Sequence, residues 1–178
     1  MRILAVSGSL QARSSNAAIL RTAHRIAPAG VEVVDAVSAA DIAPFNPDVD
    51  RDGATPDAVV AWRAQVGGAG GVLIASPEYA HSLPGALKNA LDWLVGTGEL
   101  YGKRVAVLCG SPRPLGGVLG RQALEQTLRA QGADVVLSAT VGVVAADKGA
   151  DELWDPAAVD AVATALAALR APSPGRTG

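Results

Sequence analysis

The alternation of short apolar runs with longer helical patterns constrains this 178-residue chain more than any other feature. Strands that alternate with helices pair in parallel through right-handed crossovers, and helices then cover both faces of the sheet. The pattern therefore predicts an α/β fold, a three-layer, doubly wound, five-stranded parallel sheet. The predicted strands are residues 3–6, 31–37, 72–75, 105–109 and 135–144, and the predicted helices are residues 17–27, 57–65, 84–94, 120–130 and 156–169.

Composition indicates one domain. Hydrophobic residues make up 49% of the chain, which is enough for a substantial core. We expect a single domain over residues 1–170 and a loose tail over residues 171–178. The segment 43–56 contains three prolines and lies outside the alternation, so we expect it to be exposed or loose.

The net charge and the composition of the chain indicate that its binding partners are small molecules. The formal net charge is −2, which provides no positive field for nucleic acid. No apolar run approaches the roughly 20 residues that a membrane span requires, so we expect no membrane insertion. The single cysteine, Cys109, cannot form an intramolecular disulfide, and no leader pattern precedes the first strand. These features favour a cytoplasmic protein.

Three loops are candidates for binding a ligand. Ligands of an open α/β sheet bind beyond the carboxyl ends of the strands, where the strand order reverses. The loops after the first, third and fourth predicted strands are rich in Gly, Ser and Pro. They are residues 8–15, 76–83 and 110–117, and we refer to them as the first, second and third loops.

The first loop has the composition of a phosphate site. It leads from a strand directly into a helix start, and its hydroxyls, amide and backbone N–H groups can donate to a dianion that the helix dipole also favours. A simpler interpretation is that Ser14 or Ser15 caps the helix, and the two roles are compatible. The Gly-Lys-Ser/Thr ending of a P-loop is absent, as is a Gly-x-Gly-x-x-Gly motif after the first strand.

The second loop and the predicted helix after it resemble a known family. Residues 76–94 read Ser-Pro-Glu-Tyr-Ala-His-Ser-Leu-Pro-Gly-Ala-Leu-Lys-Asn-Ala-Leu-Asp-Trp-Leu. This segment resembles the Pro-Glu-Tyr-Asn-x-Ser-x-Pro-Gly-x-Leu-Lys-Asn-Ala-Ile-Asp-Trp signature of the NADPH-dependent FMN reductase family, which includes quinone, chromate and azo reductases. The first loop is similar to that family's Gly-Ser-Leu-Arg-x-x-Ser-x-Asn phosphate loop, and the third loop is similar to its counterpart. The resemblance covers about residues 2–144 and implies a flavodoxin-like fold with strand order 2-1-3-4-5.

The resemblance implies that the first loop binds the phosphate of FMN. The residues at matching positions are Ser9, Gln11, Ser14, Ser15 and Asn16. Gln11 departs from the family pattern, which has Arg at that position. A neutral contact in place of a charge-assisted one costs about 1 kcal/mol, or less than about tenfold in affinity. Arg13, two residues further on, can return the missing charge.

The second and third loops are implied to hold the flavin ring. The residues at matching positions are Pro77, Glu78, Tyr79 and Ala80 along one side, largely through backbone contacts, and Ser111 with the neighbouring glycines on the other. Ala80 departs from the family pattern, which has Asn there, and this removes a polar side chain near the flavin. No side chain is expected to be catalytic, because the flavin carries the chemistry.

The function implied is that of an NAD(P)H-dependent FMN-containing oxidoreductase. NADPH or NADH would deliver a hydride, and two electrons would pass to a quinone, a flavin or a similar small acceptor at the same face, by ping-pong kinetics. The resemblance also implies a homodimer or homotetramer. Three alternatives remain: a flavodoxin-type electron carrier, FMN as a diffusing substrate, and a hydrolase with Ser9 as nucleophile. Carriers of that type are strongly acidic, and the hydrolase lacks a Gly-x-Ser-x-Gly motif.

Four further residues have simple interpretations beside functional ones. Trp93 lies on a broad apolar helix face, which indicates either the core or a subunit interface. Cys109 is expected to be a small buried residue and not a redox group. His81 is either a solvated loop residue or one that approaches the substrate. Neither His24 nor His81 has clustered ligand partners, so no metal site is expected.

Overall fold

A computed structural model describes residues 1–51, 53–113, 116–143 and 151–171. Five strands and five α-helices alternate along these residues, with a short 3₁₀ helix at Pro47–Val49. The strands are β1 Arg2–Ser7, β2 Glu32–Asp35, β3 Gly71–Ala75, β4 Arg104–Ser111 and β5 Asp134–Gly142. The helices are α1 Ser15–Ile26, α2 Asp57–Gly68, α3 Gly85–Asp92, α4 Val118–Ala130 and α5 Pro156–Arg170.

The sheet confirms the predicted fold class. All four pairings between neighbouring strands are parallel, and the strand order is β2-β1-β3-β4-β5, which is the flavodoxin-like order. The order reverses between β1 and β3, because β2 lies on one side of β1 and the later strands lie on the other. The carboxyl ends of β1 and β3 therefore flank the position where a ligand is expected.

The two faces of the sheet carry separate halves of the core. In β1, Leu4 and Val6 point to the face that α2, α3 and α4 cover, while Ile3 and Ala5 point to the face that α1 and α5 cover. All residues of β3 are buried, as expected for a central strand between two helical layers. This burial explains why the central strands are nearly continuous apolar runs.

The element ends differ from the prediction by a few residues. The second strand is predicted over residues 31–37 but ends at Asp35. The N–H of Ala36 still donates to the carbonyl of Ala5 at 2.9 Å, whereas the N–H of Val37, on the outer edge of the sheet, donates to the side chain of Gln65 in α2 at 2.8 Å. α3 is shorter than the predicted residues 84–94, since it ends in a tight turn at Trp93. Residue 144 of the predicted fifth strand and residues 172–178 of the predicted tail lie outside the described residues.

The described residues of the segment 43–56 are mostly exposed, as predicted, but they are not loose. The Nδ2 of Asn89 and the Nε1 of Trp93 both donate to the carbonyl of Ala43, at 2.9 and 2.8 Å. Further along, Arg63 pairs with Asp50 at 2.8 Å, and this hydrogen-bonded pair holds the pKa of Asp50 below its ordinary value. Helices α2 and α3 thus hold the segment at its beginning and near its middle.

Trp93 belongs to the core. Its side chain is completely buried, its ring meets that of Phe45 edge to face at 5.1 Å, and the Arg63 guanidinium lies 5.7 Å from its centroid. Of the two interpretations that the sequence left open, burial within the subunit is therefore confirmed. Within the residues described, no helix is both long enough and apolar enough to cross a membrane.

Candidate functional site

The first, second and third loops converge at the carboxyl edge of the sheet, because β1, β3 and β4 are consecutive strands in the sheet. A cavity of about 230 Å³ opens there. This volume is below the roughly 300–1,000 Å³ of pockets that enclose a whole small molecule, so the cavity can enclose only part of a larger ligand. It is lined by Ser9, Gln11, Arg13, Ser14, Ser15, Asn16, Pro77, Tyr79 and Gly110.

The first loop presents hydrogen-bond donors to this cavity. Ser14 is the N-cap of α1, and its Oγ accepts a hydrogen bond from the N–H of Ala17 at 3.0 Å, which confirms the capping interpretation. The hydroxyl proton of a serine in this position can still donate to a ligand. The Oγ of Ser9 accepts from the N–H of Gln11 at 3.2 Å, which holds the loop in a turn over the helix N-terminus.

Asn16 joins the first loop to the third. Its side chain is buried, and its Oδ1 accepts a hydrogen bond from the N–H of Gly110 at 3.0 Å. Gly110 itself lies close to Ser15, since a Cβ built at Gly110 would be 3.0 Å from the Cβ of Ser15. The start of α1 is therefore locked against the end of β4, and both line the cavity.

The first loop also packs directly on the second. The N–H of Gly8 donates to the carbonyl of Ala75 at 2.8 Å, so the first and second loops start side by side beyond the sheet. A Cβ built at Gly8 would lie 2.7 Å from the Cβ of Ser76, nearer than two side chains can approach. Glycine at position 8 is therefore a requirement of this contact.

We expect Gly8→Ala to lower the free energy of unfolding by about 1–3 kcal/mol, because the added methyl group overpacks the contact between the two loops. Urea denaturation monitored by circular dichroism measures this change. Ser76→Gly in the Gly8→Ala background removes the overlapping atoms, so the two substitutions should cost less together than the sum of their separate effects.

Gly68→Ala is the matched control, because nothing lies within 4 Å of a Cβ built there. We expect it to be neutral or slightly stabilising, as alanine favours a helix by up to about 1 kcal/mol over glycine. Equal destabilisation by Gly8→Ala and Gly68→Ala would contradict the close approach of the loops.

The second loop contains a strained two-residue turn. Tyr79 and Ser82 exchange both backbone hydrogen bonds at 3.0 Å, and the residues between them, Ala80 and His81, have φ of 50° and 61°. Positive φ at both central positions is typical of a type I′ turn, which favours Asn and Gly. The turn points Tyr79 outward, and its side chain is half exposed beside the cavity.

The side chain of Glu78 does not line the cavity. Its Oε2 accepts a hydrogen bond from the N–H of Gly120 in the first turn of α4 at 2.8 Å, and its Oε1 lies 3.3 Å from the Nδ1 of His81. The hydrogen bond from Gly120 is the largest cause that lowers the pKa of Glu78. The carboxylate therefore connects the second loop to α4.

The third loop is described at Ser111–Arg113 and from Gly116 onward, while Pro114 and Leu115 lie outside the described residues. Ser111 is buried, and its Oγ accepts a hydrogen bond from the N–H of Arg113 at 3.1 Å. A side chain at Gly116 would overlap that hydroxyl, so glycine is required there. Ser111 shapes the third loop and does not reach the cavity.

The structure brings seven of the ten predicted site residues together around the cavity and places three beside it. Those that line it are Ser9, Gln11, Ser14, Ser15, Asn16, Pro77 and Tyr79, and those beside it are Glu78, Ala80 and Ser111. Two lining residues are additional. Arg13, considered as a substitute for the missing charge, lines the same cavity as Gln11, and Gly110 is one of the glycines beside Ser111 that the resemblance implies at the flavin site.

The cavity suits a phosphate dianion. Among the described residues that line it, Arg13 is the one charged side chain, and the others offer hydroxyls, amides and backbone at the N-terminus of α1. No carboxylate is among them. The helix dipole adds a partial positive charge at this end of α1.

Cys109 lies beneath the second and third loops and is buried, as predicted. Burial raises the pKa of its thiol, and the nearby positive charge of Arg121 only partly opposes that change. The thiol is therefore protonated at neutral pH and poorly nucleophilic. A side chain at Gly117 would overlap its sulfur.

Comparisons with known proteins agree with the geometry. The sequence model for the NADPH-dependent FMN reductase family matches residues 1–148. The quinone reductase of Escherichia coli K12 is 38% identical over 130 residues, which are 72% of this chain and 69% of that protein. An NAD(P)H-dependent FMN reductase of Pseudomonas aeruginosa is 36% identical with the same coverage. The flavoenzyme FerB of Paracoccus denitrificans, an NAD(P)H:acceptor oxidoreductase, superposes with a TM-score of 0.78 over 94% of both chains at 24% identity, which supports the fold.

Proposed function

This chain belongs to the NADPH-dependent FMN reductase family, and from that premise we propose that its three-loop cavity binds FMN for the reduction of a quinone or a similar small acceptor. The resemblance identified in the sequence is thereby confirmed, and the protein is an NAD(P)H-dependent FMN oxidoreductase. One observation carries the assignment of the cavity: it lies at the N-terminus of α1, beyond the carboxyl ends of β1 and β3 where the strand order reverses, and its lining suits an anion.

We assign the phosphate of FMN to the first loop. The Ser9 and Ser14 hydroxyls can donate to the phosphate, and the N-terminus of α1 and the Arg13 guanidinium add positive charge. Gln11 and Ser15 complete the polar lining. The buried Asn16 contributes by fixing Gly110 against the same cavity.

We assign the flavin ring to the open side of the cavity, against Pro77 and Tyr79. Both residues line the cavity, and the half-exposed Tyr79 leaves its aromatic body at the opening. Glu78, Ala80 and Ser111 lie in the second and third loops without lining the cavity. For these three residues we propose a role in shaping the loops.

The protein provides orientation and electrostatics rather than acid/base groups. When bound, FMN supplies hydride acceptance from NAD(P)H and electron transfer to the acceptor. The chain's own contribution is to hold the phosphate end in the polar cavity and to leave the opposite end accessible at the edge of the sheet. Since one accessible face must serve both reductant and acceptor, we propose ping-pong kinetics. Steady-state plots at several acceptor concentrations should be parallel, and intersecting lines would contradict the mechanism.

The test of the assignment is the visible spectrum of the protein after addition of FMN and removal of the excess. We expect the bands of bound oxidised flavin, which bleach on addition of NADPH or NADH and return on addition of a quinone. Catalytic turnover of NAD(P)H separates a reductase from an electron carrier. A protein that retains no flavin under these conditions would refute FMN as a tightly bound cofactor.

We further propose that residues 1–170 are one domain, and that the protein is a cytoplasmic homodimer or homotetramer. The exposed Tyr79, which lines the cavity, and the exposed Leu10 of the first loop support a contact surface at its opening. Light scattering after size-exclusion chromatography measures the assembly, and a monomer at micromolar concentration would overturn this part of the proposal.

A further inference from the structure

Helix α4 begins at the third loop without a cap of its own. Its N-cap residue is Gly117, which has φ 77° and no side chain to accept a hydrogen bond. The first turn of a helix leaves several N–H groups without partners inside the helix, and Ser, Thr, Asp or Asn at the N-cap normally accepts from one of them.

Gly117 cannot be replaced by such a residue. Its positive φ favours glycine, and a side chain there would overlap the sulfur of Cys109, which is buried at the end of β4. The acceptor for the first turn of α4 must therefore come from another part of the chain.

Glu78 of the second loop supplies that acceptor. Its Oε2 accepts from the N–H of Gly120 at 2.8 Å, and the backbone of Leu119 also lowers the pKa of this carboxyl. The backbones approach closely at this point, since a Cβ built at Gly120 would lie 2.9 Å from the Cα of Glu78 and 2.8 Å from its Cβ. A negative charge at a helix N-terminus is also favoured by the helix dipole.

We propose that Glu78 is a positioning residue, which caps α4 from the second loop and thereby fixes the second loop relative to the third. The proposal rests on the proposed function, because these loops are the ones assigned to the flavin. Pro77 and Tyr79, on either side of Glu78, line the cavity, so a shift at Glu78 moves both of them. The carboxylate itself is directed to α4 and His81, away from the cavity.

The test compares Glu78→Ala and Glu78→Gln with the wild-type protein. Amide hydrogen exchange of Leu119 and Gly120 reports the cap without any cofactor, and a fluorescence titration gives the Kd for FMN. In Glu78→Ala we expect exchange to rise about fivefold or more, as for loss of a helix cap. We expect the Kd for FMN to rise about tenfold through misplacement of the loop. Glu78→Gln keeps an acceptor oxygen and should recover most of both losses.

Asp155→Ala is the matched control, because Asp155 caps α5 by accepting from the N–H groups of Ala157 and Ala158 at 3.1 Å. It should accelerate exchange at those two amides and leave the Kd for FMN within about twofold, because Asp155 does not line the cavity and makes no hydrogen bond to the second loop. Gly120→Ala retains the carboxylate of Glu78. It should nevertheless weaken FMN binding as Glu78→Ala does, because the added methyl group displaces Glu78.

The outcomes separate the positioning role from the proposed function. Unchanged exchange at Gly120 in Glu78→Ala would overturn the cap. Faster exchange with an unchanged Kd, or equal loss of FMN affinity in Asp155→Ala, would overturn the positioning role. If the wild-type protein does not bind FMN, the proposed function fails, while the exchange measurements still decide whether Glu78 caps α4.

Discussion

Arg13→Ala is expected to weaken FMN binding by about 10- to 150-fold, which corresponds to the roughly 1.5–3 kcal/mol of a charge-assisted hydrogen bond. Arg13 is the charged side chain among the described residues that line the cavity, and it lies there together with Gln11, which stands where the family pattern has Arg. The positive charge therefore lies two positions further along this loop than in the family pattern. Flavin fluorescence quenching measures the change in Kd.

Riboflavin, which lacks the phosphate, provides the decisive comparison. Arg13→Ala should leave riboflavin binding unchanged, and Gln11→Arg should strengthen FMN binding by up to about tenfold. Arg129→Ala is the control, since this arginine is exposed near the C-terminal end of α4, away from the cavity. An equal loss of affinity for riboflavin and FMN in Arg13→Ala would show that Arg13 does not contact the phosphate.

Trp93→Ala should lower the free energy of unfolding by about 3–5 kcal/mol, the usual cost of deleting a large buried aromatic side chain. The substitution also removes the donor to the Ala43 carbonyl and the face against which Phe45 and Arg63 pack. The segment 43–56 should then become accessible to proteases in the native state. Urea denaturation gives the free energy, and limited proteolysis reports on the segment.

Trp154→Ala provides the control on the same chain, because Trp154 is 68% exposed whereas Trp93 is completely buried. We expect a change of less than about 1 kcal/mol for this surface position. Similar losses from the two substitutions would contradict the assignment of Trp93 to the core.

The order and type of all five strands and five helices along the chain could be predicted from the sequence, because the central strands β1, β3 and β4 are buried on both faces and are therefore apolar runs between helical segments. The ends could not. β2 ends at Asp35 although Val37 continues the apolar pattern, and the N–H of Val37 donates to the side chain of Gln65 in α2. This contact joins residues 28 positions apart and leaves no local signal in the sequence.

The parts of the candidate site that depend on local backbone structure could be predicted from the sequence. Contacts between residues far apart in the sequence were less predictable. Ser14 caps α1, as a polar loop at a helix N-terminus indicates, and seven of the residues that the resemblance implies line one cavity. The contact of Glu78 with Gly120 spans 42 positions and follows from the fold alone. One signal was present: Gly116 and Gly117 precede α4 where a capping side chain is expected.

The signature of residues 76–94 serves architecture as much as chemistry. Asn89 and Trp93 both bind the carbonyl of Ala43, and neither lines the cavity. The part of the signature that is easiest to recognise in the sequence therefore holds a neighbouring surface segment in place. The residues assigned to the ligand occupy its first few positions.

The turn at Ala80 and His81 lowers the stability of the loop nearest the proposed flavin ring. Residues with a Cβ in the left-handed region are disfavoured by about 1–2 kcal/mol each, and Ala80, unlike Asn, Asp or His, is not a residue that is enriched there. Asparagine, which the family pattern has at position 80, tolerates this conformation well. Asparagine at position 80 would therefore stabilise the protein at the edge of its own cavity, and this substitution need not alter any contact with a ligand.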